Sequence, residues 1–172
     1  EIYNSTRYKF FISELNRLPF NSVDFSDIFF NRLSPQTKKS GVFVLRHDID
    51  SGYVAETSQM LEIERDAKIK SSVHLLVDES IYSPFDFVAI CREFNGIAKF
   101  GLHTSSWCNS ENPVENIKKE IQRIESIFSI RPESISFHGL WPRPKIGIFS
   151  RRKLINNFKK IALGRSMPPV QD

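Results

Sequence analysis

Apolar positions along the chain follow two alternating patterns. Short continuous runs at "GVFVLRH" (41–47), "SSVHLLV" (71–77), "AKFGLH" (98–103) and "SISFH" (134–138) have the length and the β-branched, aromatic make-up of buried strands. Between them apolar residues recur at helical spacing. Residues 51–69 place Val54, Met60, Leu61 and Ala67 on one side, and 112–128 place Val114, Ile117, Ile121, Ile124 and Phe128 there, the clearest amphipathic stripe in the chain. Ser83-Pro84-Phe85-Asp86 and Asn112-Pro113-Val114-Glu115 each read as a helix start, a capping residue followed by proline and an acid. The first of these helices would bury Phe87, Val88, Cys91 and Phe94. Residues 6–18 form a further helix through Tyr8, Phe11, Ile12, Leu15 and Leu18.

Strands alternating with helices predict βαβ units and a mainly parallel sheet in an α/β fold. In such folds chemistry gathers at the C-terminal ends of the strands. Three of the four histidines fall there: His47, His103 and His138, with Asp48 and Asp50 directly after the first. His74 sits inside a strand and reads as a satisfied core histidine. Imidazole nitrogen with carboxylate oxygen is a ligand set for zinc and related divalent ions. A carboxylate that does not bind the ion can accept a proton from an activated water. The bland alternative for each residue alone is a hydrogen-bonded strand end or a helix cap, with Asp50 or Ser51 capping the helix that follows.

Composition sharpens this only in part. With 172 residues, 40% hydrophobic and 26% charged, the chain suits one folded domain. No apolar stretch approaches the roughly 20 residues of a membrane helix. "EIYNSTRYKFF" lacks the order of a signal peptide, which points to a cytoplasmic protein. The net charge of +4 is unevenly spread. Residues 139–172 hold eight basic residues against Asp172, so the remainder is acidic at −3. No aromatic residues interleave with those charges in a stacking motif, so nucleic acid is not an expected partner. Of the two cysteines, Cys91 lies on a helical stripe and Cys108 in a loop; their spacing matches no zinc knuckle.

Together "LRHDID" (45–50), "FGLHTSSW" (100–107) and "SISFHG" (134–139) resemble the motifs of NodB-type polysaccharide deacetylases, in the divergent branch whose first motif reads Arg-His-Asp-x-Asp. The likeness covers about residues 1–140, leaving 141–172 as a basic extension. It implies an irregular or incomplete (β/α) barrel and metal-dependent removal of an N- or O-acetyl group from a carbohydrate. By that resemblance Asp48 is the base and Asp50 a metal ligand, or the two exchange roles. His103 and His138 complete the ligands of a zinc ion, with nickel, cobalt and manganese as alternatives. The second motif departs from the better-known pattern: Trp107 stands where a second histidine would be. His47 either reaches the ion or orients Asp48, Arg46 pairs with a carboxylate, and His47 or His138 protonates the leaving group. Trp107 and Trp141 are candidates to stack on a sugar. Only four strands, with "KIGIF" (145–149) as a fifth candidate, are present for a barrel of seven or eight. The expectation is a shortened member, a truncated product or a fragment of a longer barrel, its edges covered by self-association or by the tail. The rival expectations are a carbohydrate-binding or structural module with a vestigial metal site, and a metal-dependent phosphohydrolase built on His47-Asp48.

Overall fold

The computed structural model describes residues 4–29, 31–104 and 112–137. In chain order the elements are α1 (Ser5–Arg17), β1 (Asn21–Ser22), α2 (Phe25–Phe29), α3 (Pro35–Ser40), β2 (Val42–Phe43) and β3 (Leu45–Ile49). Then come α4 (Val54–Ala67), β4 (Ser71–Leu75), a 3-10 turn (Pro84–Phe87) running into α5 (Val88–Phe94), β5 (Ala98–Thr104), α6 (Pro113–Phe128) and β6 (Ile135–Phe137). Strands β3 to β6 form a four-stranded sheet in chain order, every pair parallel. The sheet curls into half of a barrel, and β1 and β2 form a separate parallel pair. This is a mixed α/β fold, consistent with an incomplete α/β barrel.

Register and the two-residue period of a strand assign the faces. Leu45, His47 and Ile49 line up with Ser71, Val73 and Leu75, and these with Ala98, Phe100 and Leu102. That face packs on the helices. Val73, Leu75, Phe100 and Leu102 share one core with Met60 and Leu61 of α4, Phe94 of α5, and Ile117, Ile121, Ile124 and Phe128 of α6. The stripe read from the spacing of α6 is thus the face it buries. Cys91 lies in the same core, where burial pushes its thiol up to about 12 and keeps it protonated and unreactive. Arg46, Asp48 and Asp50 point to the opposite, inner face of the curl, with Ser72, His74, Gly101, His103, Ser134 and Ser136.

The first strand differs from its expected form in one consequential way. "GVFVLRH" is not one strand that stops at His47. Val42–Phe43 pairs with β1, and after Val44 the chain continues as β3 to Ile49. The charged motif is therefore inside the strand and not beyond it, so alternation sends His47 one way and Arg46 and Asp48 the other. The helix that follows starts at Val54, with Tyr53 at its cap and no side-chain cap bond, so neither Asp50 nor Ser51 caps it. Ser83 likewise makes no cap bond, and a 3-10 turn stands where a regular helix start was expected.

Candidate functional site

The lower of two polar rows on the inner face begins at Arg46, whose Nη2 donates to Asp48 Oδ2 at 2.7 Å. Asp48 Oδ1 lies 3.5 Å from His74 Nδ1 on the neighbouring strand. His74 Nε2 then reaches across β5 to Ser134 Oγ at 2.9 Å. The reach is possible because Gly101, the β5 residue in register with His74, has no side chain. A Cβ there would meet His74 Cδ2, Ser134 O and Ser134 Oγ, each at 2.7 Å. Phe25 closes the row from below, its ring edge-on to His74 and its N–H donating to Ser72 Oγ.

The upper row sits one pleat higher, about 7 Å along the strand. His103 Nε2 is 2.9 Å from Asp50 Oδ1, and His103 Nδ1 is 2.6 Å from Ser136 Oγ. The imidazole is 3% exposed and the carboxylate 54%, so the pair runs from the buried sheet to solvent at the rim. Both rows have the same composition, carboxylate, imidazole and serine hydroxyl, with the two ring nitrogens used in opposite order.

His47 faces the helices. Its Nε2 lies 2.7 Å from Oε1 of Glu64, a residue with no exposed surface, and the Tyr8 hydroxyl donates to the same oxygen. The cluster ties α1, α4 and β3 together, and it places the imidazole across the sheet from Asp48 and Asp50. An open groove of about 480 Å³ lies between α1 and α4, lined by Lys9, Ser13, Asn16, Arg17 and Asp66 among others. It too is on the helix side, away from the two rows.

Of the residues singled out by sequence, Arg46, Asp48, Asp50 and His103 thus share the inner face. His138, Trp107 and Trp141 lie outside the described residues. Among the described residues no group of three His, Cys, Asp or Glu side chains is arranged to hold a metal ion. The donor chemistry of the upper row nevertheless suits a divalent ion. A carboxylate oxygen and an imidazole nitrogen converge, and the other ring nitrogen is held by a hydroxyl, the support that metal-ligating histidines usually have. Sequence reasoning placed His74 as a core histidine inside a strand, where it is found buried and bonded to Ser134, but it did not single out Glu64, Ser134 and Ser136. Glu64 had a signal, an acid at a helical step from Thr57, Met60 and Leu61 on the buried side of α4. The serines had none.

His74 is 1% exposed, and burial pushes its imidazole down to about 4, against the opposing pull of the Asp48 carboxylate. The folded chain therefore carries it neutral at pH 7. The unfolded chain takes up that proton below about 6.5, so stability from this group is complete above pH 6.5 and falls as pH drops through 4. The shift corresponds to about 3 kcal/mol over that window. Urea midpoints between pH 7 and pH 4 should fall more steeply for the wild type than for His74→Phe; parallel curves would refute the assignment.

No helix among the described residues is long and apolar enough to cross a membrane. Comparison of the chain with protein-family models, with curated proteins and with solved structures returned no match.

Proposed function

We propose that the chain is a metal-dependent hydrolase that removes an acetyl group from a carbohydrate, with its site at the rim of the curled sheet. The observation that carries this reading is the upper row: Asp50 and His103 meet at 2.9 Å at the open end of the sheet, with His103 Nδ1 held by Ser136. Asp50 and His103 would hold a divalent ion, zinc by the character of the donors, with His138 as the third ligand. Bound there, the ion would supply Lewis-acid activation of a water and of the acetyl carbonyl.

The chain's own groups supply the proton chemistry. Asp48 is the general base. Its Oδ1 is buried, so the oxygen open to the site is Oδ2, which takes the proton of the attacking water. Arg46 holds that oxygen at 2.7 Å and keeps the carboxylate oriented while the proton is absent. Asp48 returns that proton to the leaving amine or alcohol, because His47 is committed to Glu64 across the sheet and His138 is taken as a ligand. The half-open inner face suits an extended polar substrate such as an oligosaccharide, and Trp107 and Trp141 remain the candidates to stack on it.

The test joins metal binding to product release. The purified chain should bind about one zinc ion by calorimetry and release acetate from N-acetylglucosamine oligomers or O-acetylated xylo-oligosaccharides. His103→Ala should weaken zinc binding by at least about tenfold and abolish acetate release. A wild-type chain that binds neither zinc, nickel, cobalt nor manganese would sink the hydrolase reading. The rival reading, a carbohydrate-binding or structural module, would then remain.

A further inference from the structure

The lower row carries more order than a packed sheet requires. Asp48 Oδ1 and His74 Nδ1 face each other at 3.5 Å. Both are buried; Asp48 Oδ1 has no hydrogen-bond partner of ordinary length among the described residues, and His74 has on that side only a weak contact to the His47 backbone. A buried polar atom left unpaired costs about 1–3 kcal/mol. How the row avoids that cost depends on where the imidazole keeps its proton. A neutral imidazole has one N–H and one lone pair. With the hydrogen on Nε2, the lone pair of Nδ1 would oppose the carboxylate in a dry setting. With it on Nδ1, the N–H lies on the side of Asp48 Oδ1, 3.5 Å away, and of the His47 backbone, and the lone pair of Nε2 accepts the Ser134 hydroxyl at 2.9 Å. Both ends of the ring are then matched. Gly101 is the opening through which the imidazole and the hydroxyl meet.

We infer that Ser134 and His74 are positioning residues: Ser134 sets the Nδ1–H tautomer of His74, and His74 holds Asp48 Oδ1 so that Oδ2 is left to Arg46 and to the open side of the row. Arg46 grips the outer oxygen and His74 the inner one, which leaves the carboxylate no freedom to rotate. The role of Oδ2 rests on the hydrolase reading; the tautomer does not.

The tautomer can be read directly in the full chain with uniform nitrogen-15 labelling, by long-range proton–nitrogen spectra of the histidine rings at pH 7. His74→Gln identifies the His74 signals. The wild type should carry its ring proton on Nδ1. Ser134→Ala should move the ring to a mixture of tautomers, and Ser134→Thr, which restores the hydroxyl, should return the wild-type pattern. With zinc and N-acetylglucosamine oligomers, Ser134→Ala should lower kcat by about tenfold at unchanged KM, again recovered by Ser134→Thr. A wild-type ring protonated on Nε2, or a Ser134→Ala spectrum identical to the wild type, overturns the inference. A wild type that shows the expected tautomer and its loss in Ser134→Ala, but releases no acetate, upholds the Ser134–His74–Asp48 arrangement and rejects the hydrolase reading.

Discussion

Asp48→Asn should lower the rate of acetate release by roughly 10²- to 10⁴-fold, the range that a positioned general base contributes. The substitution keeps the shape of the side chain and removes its ability to take a proton. It should cost the fold only about 1 kcal/mol, because the amide oxygen can still face His74 on the buried side while the NH2 meets Arg46, whose guanidinium is half exposed. It should also leave zinc binding close to that of the wild type, since Asp50 and His103 are untouched. Asp50→Asn should do the reverse, with affinity for zinc falling before anything else. The two variants separate base from ligand, which neighbouring aspartates on one strand face do not do by position alone. If Asp48→Asn releases the metal and Asp50→Asn keeps it, the two roles are exchanged. If Asp48→Asn retains full activity, the inner face is not where the water is deprotonated.

Gly101→Ala should cost about 3 kcal/mol of stability. The added methyl group would lie 2.7 Å from three atoms, of which one is the Ser134 carbonyl oxygen of the backbone and another the Ser134 hydroxyl. That carbonyl accepts the Leu102 N–H at 3.1 Å and holds the start of β6 to β5. Room for the methyl therefore comes only from pushing β6 outwards or driving the His74 ring from its place. Overpacking of this kind costs about 1–3 kcal/mol, and each hydrogen bond lost with it adds about 1 kcal/mol. Gly96→Ala is the matched control, because a Cβ there meets nothing within 4 Å. Chemical denaturation of both variants checks the expectation. A loss below about 1 kcal/mol at Gly101 would mean that β6 does not lie over this glycine.

Much of the frame was legible because burial wrote it twice, once in each period. The strands around Val73 and Phe100 are apolar runs, the helices carry their stripes, and the sheet is parallel, as alternation of the two demands. The elements between Asn21 and Ser40 were not legible. β1 is two residues long and exists through its pairing with Val42–Phe43, so local pattern holds no trace of it. Asp48, Asp50 and His103 were grouped because strand ends converge in such folds, and they do share the inner face. His47 was grouped with them because the strand was taken to stop there. It continues to Ile49, and a period of two then separates neighbours. His74 was passed over for a related reason. Every residue of β4 is buried, so no polar alternation tells which of its faces meets the helices. Ser134 and Ser136 matter only through what they touch, and no pattern in a single chain announces that.

The order β3-β4-β5-β6 also has a meaning in time. As the chain leaves the ribosome, each strand of the sheet finds its neighbour already made: Ser71 meets Leu45, Ala98 meets Ser71, and Ile135 meets Leu102. Growth can proceed unit by unit, with no strand waiting for a later one to be inserted beside it. The first helix is the exception. Tyr8 emerges early, yet its partner Glu64 follows 56 residues later. Until α4 has been synthesised, α1 lacks its main partner, and Phe10 and Phe11, still exposed in the finished fold, travel with it. Of the described helices, the first is thus not placed until the fourth has been made, and through that interval the face that carries Ile12 stays uncovered by Ile63 and Ile69.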